Sequence, residues 1–171
     1  MTHRRPAAAT LAALTVATGA LAGCTGGPAP PEKEGANVDT VVESETRRQV
    51  EQRAGQIASL VGEDLKVIGV TSVPCTGKAG ESSDASYWTG GTYQLFLPAR
   101  QHAGTLARLR EQWLRDGYTI GTYQTADDGR ADKLEATAPD RFTVSVTSTT
   151  PPTALALSVT SPCRLSPTPL F

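Results

Sequence analysis

Residues 141–160 read RFTVSVTSTTPPTALALSVT. Phe142, Val144 and Val146 alternate with Thr143, Ser145 and Thr147; after Pro151-Pro152, Leu155, Leu157 and Val159 alternate with Ala156 and Ser158. A period of two sends successive side chains to opposite faces of a strand. The stretch therefore predicts two strands, Arg141–Ser148 and Ala154–Thr160, in a sheet with one apolar and one wet face. Immediately upstream, Tyr118–Gln124 and Lys133–Ala138 follow the same period, with Asp127-Asp128-Gly129 and Pro139-Asp140 as turns.

Before Tyr118 the period changes. Leu106, Leu109 and Trp113, joined by His102, sit at helical spacing between Pro98 and Gly117, which predicts a second helix with its apolar stripe on the sheet. Ala85–Leu97 holds the densest aromatic cluster, Tyr87, Trp88 and Tyr93, with Gly90-Gly91 read as a bulge or bend. Leu65–Val73 is rich in β-branched residues and ends at Pro74-Cys75, a further strand. Val42, Val50, Ala54, Ile57 and Val61, with Thr46 filling the missing step, share one face of a first helix over Val41–Val61, preceded by a Thr40/Glu43 capping box and stopped by Gly62. The expected fold is α+β in the order α-β-β-α-β-β-β-β: a single, mostly antiparallel sheet of about six strands with two helices on one face. The element order suggests an αββ unit followed by a longer variant, but no residue-level repeat supports duplication.

The N-terminus is organised differently. Arg4-Arg5 is followed by no charge until Glu32, and Ala7–Ala22 is an apolar run of small residues closed by Leu21-Ala22-Gly23-Cys24. This is the pattern of an export leader, residues 1–23, and the closing tetrapeptide resembles a lipobox, in which the cysteine thiol takes a diacylglyceryl (palmitate-type) anchor and becomes the first mature residue. Residues 24–38, rich in Gly and Pro, cannot build a core and read as a tether. The expected globular domain is then 39–165, with a tail at 166–171.

Charge and residue counts limit the function. The chain of 171 residues carries 16 Lys+Arg and 17 Asp+Glu, a net charge of −1, and loss of Arg4 and Arg5 makes it more acidic. Phosphate neutralisation needs a basic excess, so no nucleic-acid partner is expected. With Cys24 acylated, Cys75 and Cys163 remain as an even pair in an oxidising compartment, which predicts a disulfide. Such a long loop gives about 4 to 5 kcal/mol in the chain-entropy model. If Cys75 closes one strand and Cys163 the last, both strands finish at one end of the sheet; the simplest arrangement makes them adjacent and parallel.

Candidate chemistry is sparse. His102 is the sole histidine beyond the leader, and no sequence pattern supplies it with a triad or metal partners. Asp127, Asp128 and Asp132 do not follow the spacing of a calcium loop, and no carboxylate pair is set out for glycoside hydrolysis. No catalytic residue, metal or cofactor is therefore expected. Tyr87, Trp88 and Tyr93 form the candidate binding surface, because alternating positions cannot all point inward.

The leader ending Leu21-Ala22-Gly23-Cys24, the Arg-over-Lys and Ala/Pro/Gly bias, Trp113-x3-Gly117-Tyr118, and Ser148–Leu157 followed by Ser161-Pro162-Cys163 together resemble small lipoproteins of unknown function from actinomycetes, particularly streptomycetes. The resemblance implies a domain tethered by lipid to the outer face of the plasma membrane. The expected function is a non-enzymatic binding or structural domain displayed in the cell envelope, with an envelope protein or cell-wall partner. The alternative is an envelope enzyme, or enzyme accessory, acting on peptidoglycan.

Overall fold

The computed structural model describes residues 39–77, 79–125 and 132–168. The leader, Cys24, the tether and the turn at Asp127-Asp128-Gly129 lie outside these residues. The elements are α1 (Glu43–Val61), β1 (Leu65–Thr76), β2 (Ser82–Leu95), α2 (Ala99–Arg115), β3 (Thr119–Gln124), β4 (Lys133–Thr137), β5 (Thr143–Ser148), β6 (Leu155–Thr160) and a short β7 (Arg164–Leu165). The α-β-β-α-β-β-β-β order holds, with β7 added at the end. Among the described residues no helix is long and apolar enough to cross a membrane.

One antiparallel sheet runs β1-β2-β6-β5-β4-β3, with β7 pairing on β2 beyond the end of β6. α1 packs on β1, β2 and β6, and α2 on β3, β4 and β5. Both helices bury their stripes in the same core as the apolar sheet positions: Val50, Ala54 and Ile57 from α1, Leu106, Leu109 and Trp113 from α2, and Val144, Val146, Leu155, Leu157 and Val159 from the sheet. The alternation at 141–160 thus sets the layer order: apolar positions face two helices, and hydroxyl positions face out.

Local signals explain the helix ends. Gly62 and Gly117 adopt positive φ, +83° and +79°, where a Cβ would be strained, and both lie just past a helix. The capping box is corrected. α1 starts after Val42, with no side-chain cap, because the Thr40 backbone is engaged in a parallel bridge with Leu165. Val41 N–H donates to Leu165 O and Leu165 N–H to Asp39 O, each at 3.0 Å, and Arg164 ion-pairs with Asp39. Thr46, the polar step in the apolar stripe, is fully buried and hydrogen-bonds to the Tyr87 hydroxyl at 2.8 Å. That hydroxyl gives its own proton to Val41 O at 2.7 Å, so Thr46 is the donor.

Cys75 and Cys163 form the disulfide, with Cα atoms 6.2 Å apart. The strands they follow run in the same direction, as expected, but are not adjacent: β2 lies between them, antiparallel to both. Two strand spacings amount to roughly 9.6 Å, so the cysteine-bearing segments must converge over β2. They do so at the register shift between Pro74 and Thr76 and in the Ser161–Cys163 segment that links β6 to β7.

The bulge reading of Gly90-Gly91 is also corrected. Those residues pair in regular register with Thr71 and Val70, and the irregularity sits on the partner strand between Val67 and Gly69. The glycines are instead places where rings lie close. A Cβ on Gly90 would come within 2.7 Å of the Trp88 ring, and one on Gly91 within 2.4 Å of the Tyr93 hydroxyl.

A candidate ligand-binding face

The sheet face away from the helices is uncovered among the described residues. Its registers place Thr71, Gly90, Thr160, Thr143, Thr137 and Thr119 in one row across all six long strands. A second row holds Gly69, Thr92, Ser158, Ser145, Glu135 and Thr122, and none of the twelve residues is buried. Cross-strand Cβ atoms lie about 4.5 to 5.5 Å apart, so the hydroxyls are held in a grid by backbone pairing. β-branched threonine suits this pleated surface and leaves its hydroxyl available as both donor and acceptor.

Within the grid is an open depression of about 330 Å³, bordered by Thr137, Thr143, Ser145, Ser158 and Thr160, with Glu135 and its neighbour Gly121 at the β4–β3 side. Among the described residues that line it, Glu135 is the sole ionisable one. Its carboxylate lies 2.8 Å from Lys133 Nζ. Hydrogen bonds from Lys133, and secondarily from Thr122, hold its carboxyl below the usual range despite a small opposing effect of desolvation. A fixed, ionised carboxylate beside neutral hydroxyls suits hydrogen bonding to a polar ligand.

Of the three aromatics expected at a surface, Tyr87 and Tyr93 are corrected: both are essentially fully buried on the helix side. They share strand parity with Leu95, which also faces the core, whereas Trp88 has the opposite parity. Trp88 is half-buried on the outer face, its ring reaching over Gly90, the residue paired with Thr160 of the depression. It alone of the three stands beside the hydroxyl grid.

His102, for which no sequence pattern supplies partners, has hydrogen-bond partners in the fold. It is completely buried, with Nε2–H donating to Leu97 O and Nδ1 bonded to Ser148 Oγ, both at 2.8 Å. Ser148 Oγ is also 3.3 Å from Asp132 Oδ2. This is not the arrangement of a hydrolytic triad, where the acid orients the imidazole and the imidazole faces an accessible hydroxyl. Here the carboxylate meets the serine, both ring nitrogens are engaged, and the cluster fastens the start of α2 to the end of β5. No group of three or more potential metal ligands occurs among the described residues.

A third feature had no simple sequence signal. Phe142 is buried, with the Arg53 guanidinium 4.6 Å and that of Arg164 6.0 Å from its ring. Arg53 also donates to Tyr118 Oη and Asp140 Oδ2, each at 2.6 Å. Residues from α1, β7 and the loops that precede β3 and β5 meet there, separated widely along the chain.

The architecture defines a two-layer α+β domain: a six-stranded antiparallel sheet, two helices on one face and a hydroxyl-rich open face. A solved structure with a similar fold is that of a DUF4853 family protein from the actinomycete Actinomyces odontolyticus, with a TM-score of 0.50 over 76% of this chain and 72% of that chain, at 15% identity. At that identity the likeness concerns the fold. No protein-family model matches the sequence, and no curated protein matches it.

Proposed function

We propose that this protein is a lipid-anchored lipoprotein on the outer face of the plasma membrane, displaying a non-enzymatic binding domain in the cell envelope. The observation that carries the reading is the use of its cysteines. Of three in the chain, Cys75 and Cys163 form a bond that persists in oxidising compartments, and the third, Cys24, directly follows the leader and completes a lipobox-like sequence. Residues 24–38 would be the tether. Its downstream end meets a chain fastened to β7 through Asp39, Val41, Arg164 and Leu165. One acyl chain holds a protein at a membrane only marginally, whereas the two or three of a bacterial lipid-modified cysteine hold it firmly.

The binding role is supported by the open hydroxyl face. The non-enzymatic role is supported by the burial of His102 and by the presence of one carboxylate among the described residues at the depression, since glycoside hydrolysis ordinarily requires two. Fractionating cells that express the wild type and Cys24→Ser tests the reading. The wild type is expected in the membrane fraction and the variant in the medium, or retained as unprocessed precursor; identical processing and partitioning of both would overturn it.

A further inference from the structure

We propose that the depression at Thr137, Thr143, Ser145, Ser158 and Thr160, with Trp88 at its border, binds an uncharged polysaccharide chain. The inference rests on the reading of this domain as a binding module in the cell envelope and specifies what it binds.

The chemistry of the face selects the ligand class. A polysaccharide presents many hydroxyls, each donor and acceptor, and is best met by a spread of groups with the same double capacity. The two rows hold seven threonines and two serines, together with Glu135. A polyanion would need a cluster of cations, but no Lys or Arg is among the described residues that line the depression, and the neighbouring Lys133 is paired with Glu135. The exposed surface of the depression is largely carbon, with threonine and serine hydroxyls set into it; an apolar peptide or acyl chain would leave those hydroxyls without partners, whereas a sugar offers both C–H faces and hydroxyls. A folded protein partner is ordinarily anchored by desolvated aromatic or Arg residues at the centre of the contact. Here no aromatic is among the described residues lining the depression; Trp88 stands beside it over Gly90, where a flat ring can pack against sugar C–H groups while its indole N–H stays available as a donor.

Shape agrees with chemistry. The depression is unenclosed and continues along the threonine row, which crosses six strands, roughly 24 Å at the usual strand spacing. A chain of several sugars can lie along such a row without a free end having to enter a pocket. Because the row is built on paired strands, its hydroxyls require little ordering when the ligand arrives.

The test is affinity electrophoresis of the full chain in detergent, in native gels cast with mannan, arabinogalactan, a β-glucan or glycol chitin. Retardation by at least one of these is expected. Trp88→Ala should weaken it about tenfold and Thr143→Val/Thr160→Val at least fivefold, while Arg115→Ala on α2 leaves it unchanged. The threonine-to-valine pair keeps shape and strand preference, so it tests the hydroxyls even if Trp88→Ala misfolds. Three results would overturn the proposal: no retardation in any gel, retardation indifferent to the face variants, or a dimer abolished by Thr143→Val/Thr160→Val, which would assign the face to a second copy. Failure here would not bear on the lipid anchor, which is read separately from the partitioning of Cys24→Ser.

Discussion

Cys75 and Cys163 are joined across β2, a strand to which neither belongs. The bond closes a clasp around that strand: β1 pairs along one side of it, and β6 followed by β7 along the other. Breaking it by Cys75→Ala/Cys163→Ala should cost about 2 to 5 kcal/mol. Urea unfolding should shift to a lower midpoint, and amide exchange at Val41 and Leu165, which bond across the clasped end, should accelerate. Identical midpoints with and without reductant would show that the bond contributes no stability.

Gly90 and Gly91 should respond unequally to alanine. The atom facing Gly90 belongs to the half-buried Trp88 ring on the outer face, which has room to swing aside. The atoms facing Gly91 belong to Tyr93, fixed in the core. Gly91→Ala should therefore destabilise by about 1 to 3 kcal/mol or more, the cost of forcing atoms into a packed interior, and Gly90→Ala by less than about 1 kcal/mol. Thermal unfolding of the two variants checks the order, and equal losses would contradict it.

Tyr93 makes the domain sensitive to alkali. Burial pushes its phenol from 10.0 up to about 12, with the Glu51 carboxylate adding to the effect and Arg47 opposing it. Between about pH 10 and 12 the unfolded chain has given up this proton while the native state retains it, so the contribution present below pH 10 is lost as pH rises. The hydroxyl has no hydrogen-bond partner among the described residues. Tyr93→Phe should thus flatten the alkaline limb of the stability curve and, at neutral pH, leave stability unchanged or raise it by about 1 kcal/mol. Equal slopes for both proteins above pH 10 would contradict this.

His102 has a structural role with a measurable size. His102→Ala would leave a cavity and strand Ser148 Oγ and Leu97 O, and should cost about 2 to 4 kcal/mol in urea unfolding. The folded fraction should retain polysaccharide binding. Undiminished stability with lost binding would place the imidazole at a ligand.

The layer order was legible at Phe142–Val159 because period-two alternation carries both faces of a sheet in one string. The same parity argument, extended to β2, separates Trp88 from Tyr87 and Tyr93 once Leu95 is taken as a core residue. What sequence does not carry is pairing between distant strands. The disulfide constrains how far apart Cys75 and Cys163 lie, and says nothing of β2 passing between them. The row from Thr71 to Thr119 likewise exists only through five cross-strand registers. The Thr40/Glu43 pattern pointed to a cap, yet a two-residue strand at Arg164–Leu165 claimed the Thr40 backbone. His102 met Ser148 across 46 positions of chain, and Ser148 met Asp132 across 16, beyond any local pattern.

The proposed anchoring of this domain to a membrane through Cys24 is read out by mass spectrometry of the N-terminal peptide from membrane-extracted protein. The mature chain is expected to begin at Cys24, with a diacylglyceryl group on its sulfur in thioether linkage. A chain that begins elsewhere, or one carrying an unmodified Cys24 thiol, would contradict it.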